Sequence, residues 1–162
     1  SGRNQLAEAA NDLANGARVP WYGPSMGARS FLTARLMEVW AHGQDIVDAT
    51  DGHRPATDRL RHVAQLGVIT RGWSYANRRM EAPEVPIDVV LDASSGAVWT
   101  WGPGDATDVV RGTAEDFCLV VTQRRHVDDT SLAISGEAAR DWMLRAQAFA
   151  GPPTAGPNAG RF

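Results

Sequence analysis

The stretch that decides the fold is "FLTARLMEVWAHGQDIVDA", residues 31–49. Its apolar positions Leu32, Leu36, Val39, Gly43 and Ile46, led in by Ala28, recur at steps of four and three, the mark of one helix face. The spacing predicts a helix from Ser25 as N-cap to about Ala49. Beside that face runs a second stripe of Phe31, Arg35, Glu38, His42 and Asp45. At about 100° per residue, Glu38, His42 and Asp45 point the same way. A carboxylate oxygen and an imidazole nitrogen one turn apart can both reach a cation about 2 Å away. The same spacing also describes a surface i,i+4 pair or a buried Glu–His hydrogen bond. Two ligands do not complete a zinc site, and Asp45 fits either a further ligand or the acceptor that orients His42.

Upstream, "RNQLAEAANDLA" reads as a short helix over 3–14 closed by Asn15-Gly16, and "VPWYGPSM" as an extended aromatic connection. Downstream, "TDGHRPAT" ends the long helix, and a new one starts at Thr57 or Asp58 and runs to Asn77. Its expected buried side is Leu60, Val63, Leu66, Gly67, Ile69 and Trp73. Two helices of this length suit an antiparallel pair in a bundle. The period changes after the proline-spaced "EAPEVP". "IDVVLDASSGAVWTW" alternates as a hairpin, with strands 87–92 and 97–101 around a Ser-Ser-Gly turn. "TDVVRG" is a third strand. A helix opens at Thr113 and runs through Arg125, with Glu115 and Asp116 in its first turn. "TSLAISG" is a fourth strand. A last helix from Ser135 or Gly136 presents Ala138, Trp142, Ala146 and Phe149. The Pro/Gly-rich end "GPPTAGPNAGRF" reads as a flexible tail.

The fold class is therefore α+β, with a helical part over 1–80, an α/β part over 81–151 and the tail over 152–162. A net charge of −3 offers no electrostatic basis for nucleic-acid binding, and no apolar run reaches the ~18 residues of a membrane span. One cysteine, Cys118, excludes an internal disulfide and suits a reducing cytoplasm. The first residues lack the basic-then-apolar pattern of a signal peptide. Ser1-Gly2 without an initiating Met reads as a tag remnant or processed end, with the native protein extending upstream. All 16 basic residues are Arg, so any single arginine is a weak functional signal.

Most other candidates read as structural. His62 shares a face with Leu66, Ile69 and Trp73 and reads as packed or capping; His53 reads as solvated in its loop. His126 follows Arg124-Arg125 at a helix C-terminus, where cations suit the dipole. Cys118 lies in an apolar helix with nothing to activate it. Trp99 and Trp101 share one sheet face. No phosphate loop, Gly-x-Ser-x-Gly elbow or Cys-x-x-Cys pair appears.

The helix over 31–49 resembles the metal-binding helix of the DinB-like, mycothiol-dependent maleylpyruvate isomerase superfamily. The stretches "VPWYGP", "DRLRHVAQLG", "DFCLVVTQRRH" and "AQAFAGPP" resemble one of its uncharacterised metal-binding branches. The resemblance implies a helical bundle holding a divalent metal, usually zinc, through one early His and a later Glu/His-x-x-x-His pair. Glu38 and His42 match the later pair. It also implies an α/β domain similar to sterol-carrier-protein (SCP2-like) folds over 81–151, and early helices upstream of Ser1. The chain then holds the latter part of the bundle, and its metal site is incomplete, completed by another chain, or empty.

The expected activity is a metal- and thiol-dependent isomerisation or transfer of a small-molecule substrate. Mycothiol is the thiol, and Arg124 or Arg125 anchors an anionic substrate. Two alternatives are a non-catalytic protein whose α/β half holds an apolar ligand, and a wyosine base-formation role in tRNA modification. Without its bundle partners the Leu32–Leu36–Val39 stripe forms an apolar patch large enough to drive association. A homodimer or swapped assembly is expected, checked by size-exclusion at dilution; a monomer is the contrary result.

Overall fold

The period-two segment after residue 86 forms a mixed sheet, and the helices before it pack on that sheet's own helices. The computed structural model describes residues 2–14, 16–20 and 26–162, the Arg3 side chain excepted. Helix α1 spans Gly2–Asn11. A two-residue ribbon follows, β1 Arg18–Val19 antiparallel to β2 Met26–Gly27. Helix α2 runs Ala28–Ala49, α3 Leu60–Ile69 and α4 Arg71–Ala76. Then come β3 Ile87–Asp92, β4 Val98–Trp101, β5 Asp108–Thr113, α5 Ala114–Val121, β6 Ala133–Ser135 and α6 Glu137–Arg145. The sheet order is β4-β3-β5-β6. β3 is antiparallel to β4 and parallel to β5, which is antiparallel to β6. The architecture is α+β.

The expected hairpin is present, with Leu91 opposite Trp99 and Val89 opposite Trp101. Thr113 caps α5 as its position implies: its Oγ1 accepts the Asp116 N–H at 3.0 Å. The core joins Leu60, Val63, Ala64 and Leu66 of α3 to Phe117, Cys118 and Val121 of α5, to Trp142 and Met143 of α6, and to Val89, Leu91 and Val110 of the sheet. It is continuous across position 80. Gly67 lets α3 and α5 approach closely, because a Cβ there would stand 2.8 Å from a Val121 methyl and 3.0 Å from the Phe117 ring. Phe117 meets Trp142 edge to face, with ring centroids 5.9 Å apart.

Several sequence expectations are corrected. Ser25, the expected N-cap of α2, lies outside the described residues, as does most of the aromatic connection; the helix follows extended Gly27 with no side-chain cap. The expected apolar face of α2 is buried only at Ala28, with Leu32, Leu36 and Gly43 half-buried. Met37, Ala41 and Gln44 are buried, whereas Val39 and Ile46 are 67% and 65% exposed. The single helix expected over 57–77 breaks at Thr70, whose hydroxyl and N–H both donate to the Leu66 carbonyl, at 2.8 and 3.0 Å. The break turns Ile69 and Trp73 outward and buries Ser74 and Tyr75 instead. Tyr75 Oη donates to Asp141 Oδ2 at 2.8 Å, joining α4 to α6, and burial pushes its pKa up to about 12. Asp58 does not cap α3. It accepts from Ser94 Oγ and Ser95 N–H at 2.9 and 3.2 Å, tying the α3 entry to the hairpin turn.

Helix α5 stops at Val121 rather than at Arg125. Gln123 takes a left-handed φ of 58°, a helix-closing conformation that redirects the following two arginines toward α2. Residues 152–162 form no helix or strand but are attached along the surface. Gln123 Nε2 donates to the Thr154 carbonyl at 3.0 Å, the Gly160 N–H donates to Asp129 Oδ1 at 2.7 Å, and Arg125 lies 3.8 Å over the Phe162 ring.

Phe117 is fully buried where α3, α5, α6 and the sheet meet. Phe117→Ala is expected to cost about 3–5 kcal/mol of unfolding free energy, read from urea denaturation midpoints.

Candidate metal half-site on α2

Helix α2 brings three of the sequence-predicted residues together. His42 lies between two carboxylates one turn to either side. Its Nε2 is 3.3 Å from Glu38 Oε2, and its Nδ1 is 3.2 Å from Asp45 Oδ2. The His42 side chain is 68% exposed and that of Glu38 36%, so the pair faces solvent. The stripe occupies a flank of α2 between the face packed on α3 and the exposed ridge of Val39 and Ile46.

Arg124 and Arg125, expected as anion anchors, each close a two-point fork on α2. Arg124 donates from Nε to Asp45 Oδ1 at 3.0 Å and from Nη2 to Oδ2 at 2.9 Å. Arg125 donates from Nη1 and Nη2 to the two Asp48 oxygens at 2.8 and 2.7 Å. Each arginine thus commits two of its five N–H donors to a carboxylate. Behind the forks, Gln44 Nε2 donates to Asp48 Oδ1 at 2.8 Å, and Arg54 Nη2 donates to Gln44 Oε1 at 2.9 Å. Arg54 also donates from Nη1 to the Trp40 carbonyl at 3.0 Å and lies 5.0 Å over the Trp40 ring.

The residues present fit a cation only in part. Two zinc ligands at 2.0–2.2 Å in a tetrahedral arrangement stand about 3.3 Å apart, which is the Glu38–His42 separation. Asp45 is placed as the acceptor for the other ring nitrogen, since both its oxygens already serve Arg124. Among the described residues no group of three His, Cys, Asp or Glu side chains could hold a metal ion. The remaining histidines stay apart. His53 is exposed, and His62 is exposed rather than packed. The His126 Nδ1 accepts the Asp128 N–H at 3.1 Å and so caps the next turn. Cys118 is fully buried and its Sγ donates to the Leu60 carbonyl at 3.6 Å; burial pushes the thiol pKa well up, away from thiolate chemistry.

Sequence reasoning did not find the forks, nor Gln44 and Arg54 behind them. Asp45 and Arg124 stand 79 positions apart, and in an all-arginine chain neither member of the pair is conspicuous. It also missed a cleft of about 350 Å³ between α2 and α3, lined by Leu36, Val39, Trp40, Pro55, Leu60 and Val63.

The guanidinium hydrogen bonds are the largest cause holding both Asp45 and Asp48 below the ordinary carboxylate value of 3.8. A carboxyl depressed in the folded state contributes stability above its unfolded pKa, and that contribution is lost as pH falls through the lower folded value. Arg125→Gln is therefore expected to lower stability at neutral pH by about 1–3 kcal/mol. Its deficit relative to wild type should shrink as pH drops below 3.8, measured by urea midpoints across that range.

Residues 1–47, which include Glu38, His42 and Asp45, match the family model described as the mycothiol maleylpyruvate isomerase N-terminal domain. Two uncharacterized proteins from two strains of Mycobacterium tuberculosis are each 47% identical to the chain over 154 residues. That alignment covers 95% of this chain and 60% of either relative, so the chain spans about three-fifths of the length of the curated relatives it matches. No solved structure matches it. No helix among the described residues is long and apolar enough to cross a membrane. The helical segment that carries the Glu38–His42 pair is thus similar to the N-terminal domain of the mycothiol maleylpyruvate isomerases, which supports a DinB-like relationship for that part of the chain.

Proposed function

We propose that the chain is a divalent-metal-binding member of this superfamily acting in a thiol-dependent isomerisation or transfer. Glu38 and His42 supply two ligands and Asp45 orients the imidazole. The observation that carries the reading is the 3.3 Å separation of Glu38 Oε2 and His42 Nε2, the spacing of two ligands on one zinc-sized ion, with a carboxylate already on the opposite ring nitrogen. The remaining ligand comes from further chain, either a segment preceding this one or a second copy. When bound, the metal acts as a Lewis acid that lowers the pKa of a thiol or water. By the family description the thiol is mycothiol.

The chain's own residues hold and orient. Glu38 and His42 bind, and Asp45 accepts the Nδ1 proton so that Nε2 presents its lone pair. Arg124 and Arg125 hold α2 against the α/β part. The cytoplasm is the compartment consistent with a single buried thiol and a low-molecular-weight thiol partner.

A second reading, non-catalytic binding of an apolar ligand, is favoured by the cleft between α2 and α3, which lies in the helical part rather than in the α/β half. The wyosine-related role has no specific observation in its favour.

Zinc titration by calorimetry, with metal content measured after dialysis, tests the leading reading. The expected result is uptake of about one ion per chain, lost in Glu38→Ala and in His42→Ala while the thermal unfolding of the metal-free variants stays near wild type. Zinc uptake unchanged in both variants, or absent from wild type, overturns it. Apolar ligand binding that persists in His42→Ala with no metal in wild type selects the second reading.

A further inference from the structure

Asp45 stands between a histidine and an arginine, and both its oxygens are committed. Oδ1 accepts from Arg124 Nε at 3.0 Å, while Oδ2 accepts from Arg124 Nη2 at 2.9 Å and faces His42 Nδ1 at 3.2 Å. The guanidinium is fixed at its third nitrogen too, because Nη1 donates to the Thr122 carbonyl at 2.7 Å. Thr122 is fully buried, and its hydroxyl donates to the Cys118 carbonyl at 2.7 Å. A continuous set of hydrogen bonds thus starts in the core at the end of α5, passes through Arg124 and Asp45, and ends on the exposed imidazole of α2.

The geometry points to Arg124 as a positioning residue: by gripping Asp45 at two points it keeps Oδ2 as the acceptor of the His42 Nδ1 proton and leaves Nε2, beside Glu38, free to ligate a cation. A neutral imidazole has one N–H, and the nitrogen that carries it cannot bind a metal. His42 has a carboxylate at each nitrogen, so its single proton can go to Asp45 or to Glu38. Proton placement toward Glu38 blocks the pair, and placement toward Asp45 opens it. An aspartate half exposed on a helix surface has little else to fix its rotamer. The two-point guanidinium fork does so, because it matches both oxygens in one plane.

The neighbouring fork has a different task. Arg125 grips Asp48, whose other partner is Gln44, on the face of α2 turned toward the core. Loss of Arg125 loosens α2 against α5 and leaves Asp45 gripped. Loss of Arg124 releases Asp45 itself. The pair therefore contains its own control for a merely structural effect. The inference deepens the metal reading and rests on it only for the affinity measurement below.

The test is ¹⁵N NMR of the metal-free full chain at alkaline pH, where histidine is neutral, with the His42 signals assigned by their loss in His42→Ala. Wild type and Arg125→Gln are expected to show the Nδ1–H tautomer. Arg124→Gln should shift toward Nε2–H, and Arg124→Lys, a point charge without the fork, should fall between. An unchanged tautomer in Arg124→Gln, the same shift in Arg125→Gln, or an Nε2–H tautomer in wild type overturns the proposal. Should Arg124→Gln fail to fold, the milder Arg124→Lys decides by the same criterion. In zinc titrations, Arg124→Gln should weaken the dissociation constant by about 10-fold or more and Arg125→Gln by less. A wild type that takes up no zinc sinks the metal reading and leaves the tautomer result to judge the role of Arg124.

Discussion

Two adjacent arginines after α5, each closing a fork on a carboxylate of α2, hold the helix that carries Glu38 and His42. The packing of α2 gives these forks their weight. Over 22 residues it buries only Ala28, Met37, Ala41 and Gln44. One methionine contributes about 1.5–3 kcal/mol of apolar burial and the alanines considerably less. That is little with which to fix the angle and rotation of a helix. A guanidinium fork has a direction as well as an energy, and two of them one turn apart fix both. The Arg125–Asp48 pair is mostly shielded from solvent and the Arg124–Asp45 pair is more open, so the first carries more of the stability and the second more of the orientation.

The forks exist because α5 ends early. Left-handed Gln123 stops the helix and turns Arg124 and Arg125 across to α2. This turn was not legible in the sequence, since glutamine carries no turn signal and "VVTQRRH" continues a helical pattern without interruption. The hairpin over 87–101 and the Thr113 cap were legible, because period-two alternation around Ser-Ser-Gly and a threonine three residues before an acid are local signals. The Thr70 break was not. The apolar period runs through it, and the Thr70 hydroxyl bond to its own backbone is one that Thr33 also makes inside the unbroken α2.

The α2 stripes show how far sequence reasoning reaches at the site. That Glu38, His42 and Asp45 share a side follows from helical geometry, and the distances bear this out. Which apolar face the chain would bury did not follow. Leucine, valine and isoleucine at alternating four- and three-residue steps outweigh Met37 and Ala41 on any hydropathy argument, yet the chain buries the weaker face. Partners far along the chain accompany the choice: Arg54 donates to Gln44 and to the Trp40 carbonyl, and Arg125 grips Asp48 beside Ala41. A helix with apolar residues on two opposite sides is built to be covered on both.

That second face bears on the chemistry. The Glu38–His42 pair is exposed and so adds little to folding; an ion pair in water contributes about 0–1 kcal/mol. Its placement therefore places few demands on the fold, which leaves it available for binding. The same exposure weakens it as a site, because water competes for a cation and screens its field. The exposed ridge of Val39 and Ile46 lies about a quarter turn away on the same helix. Any segment or partner packed on that ridge would shade His42 from solvent while Arg124 and Asp45 hold the ring from the other side. Whatever dries the apolar face would also bring its own side chains within reach of Glu38 and His42.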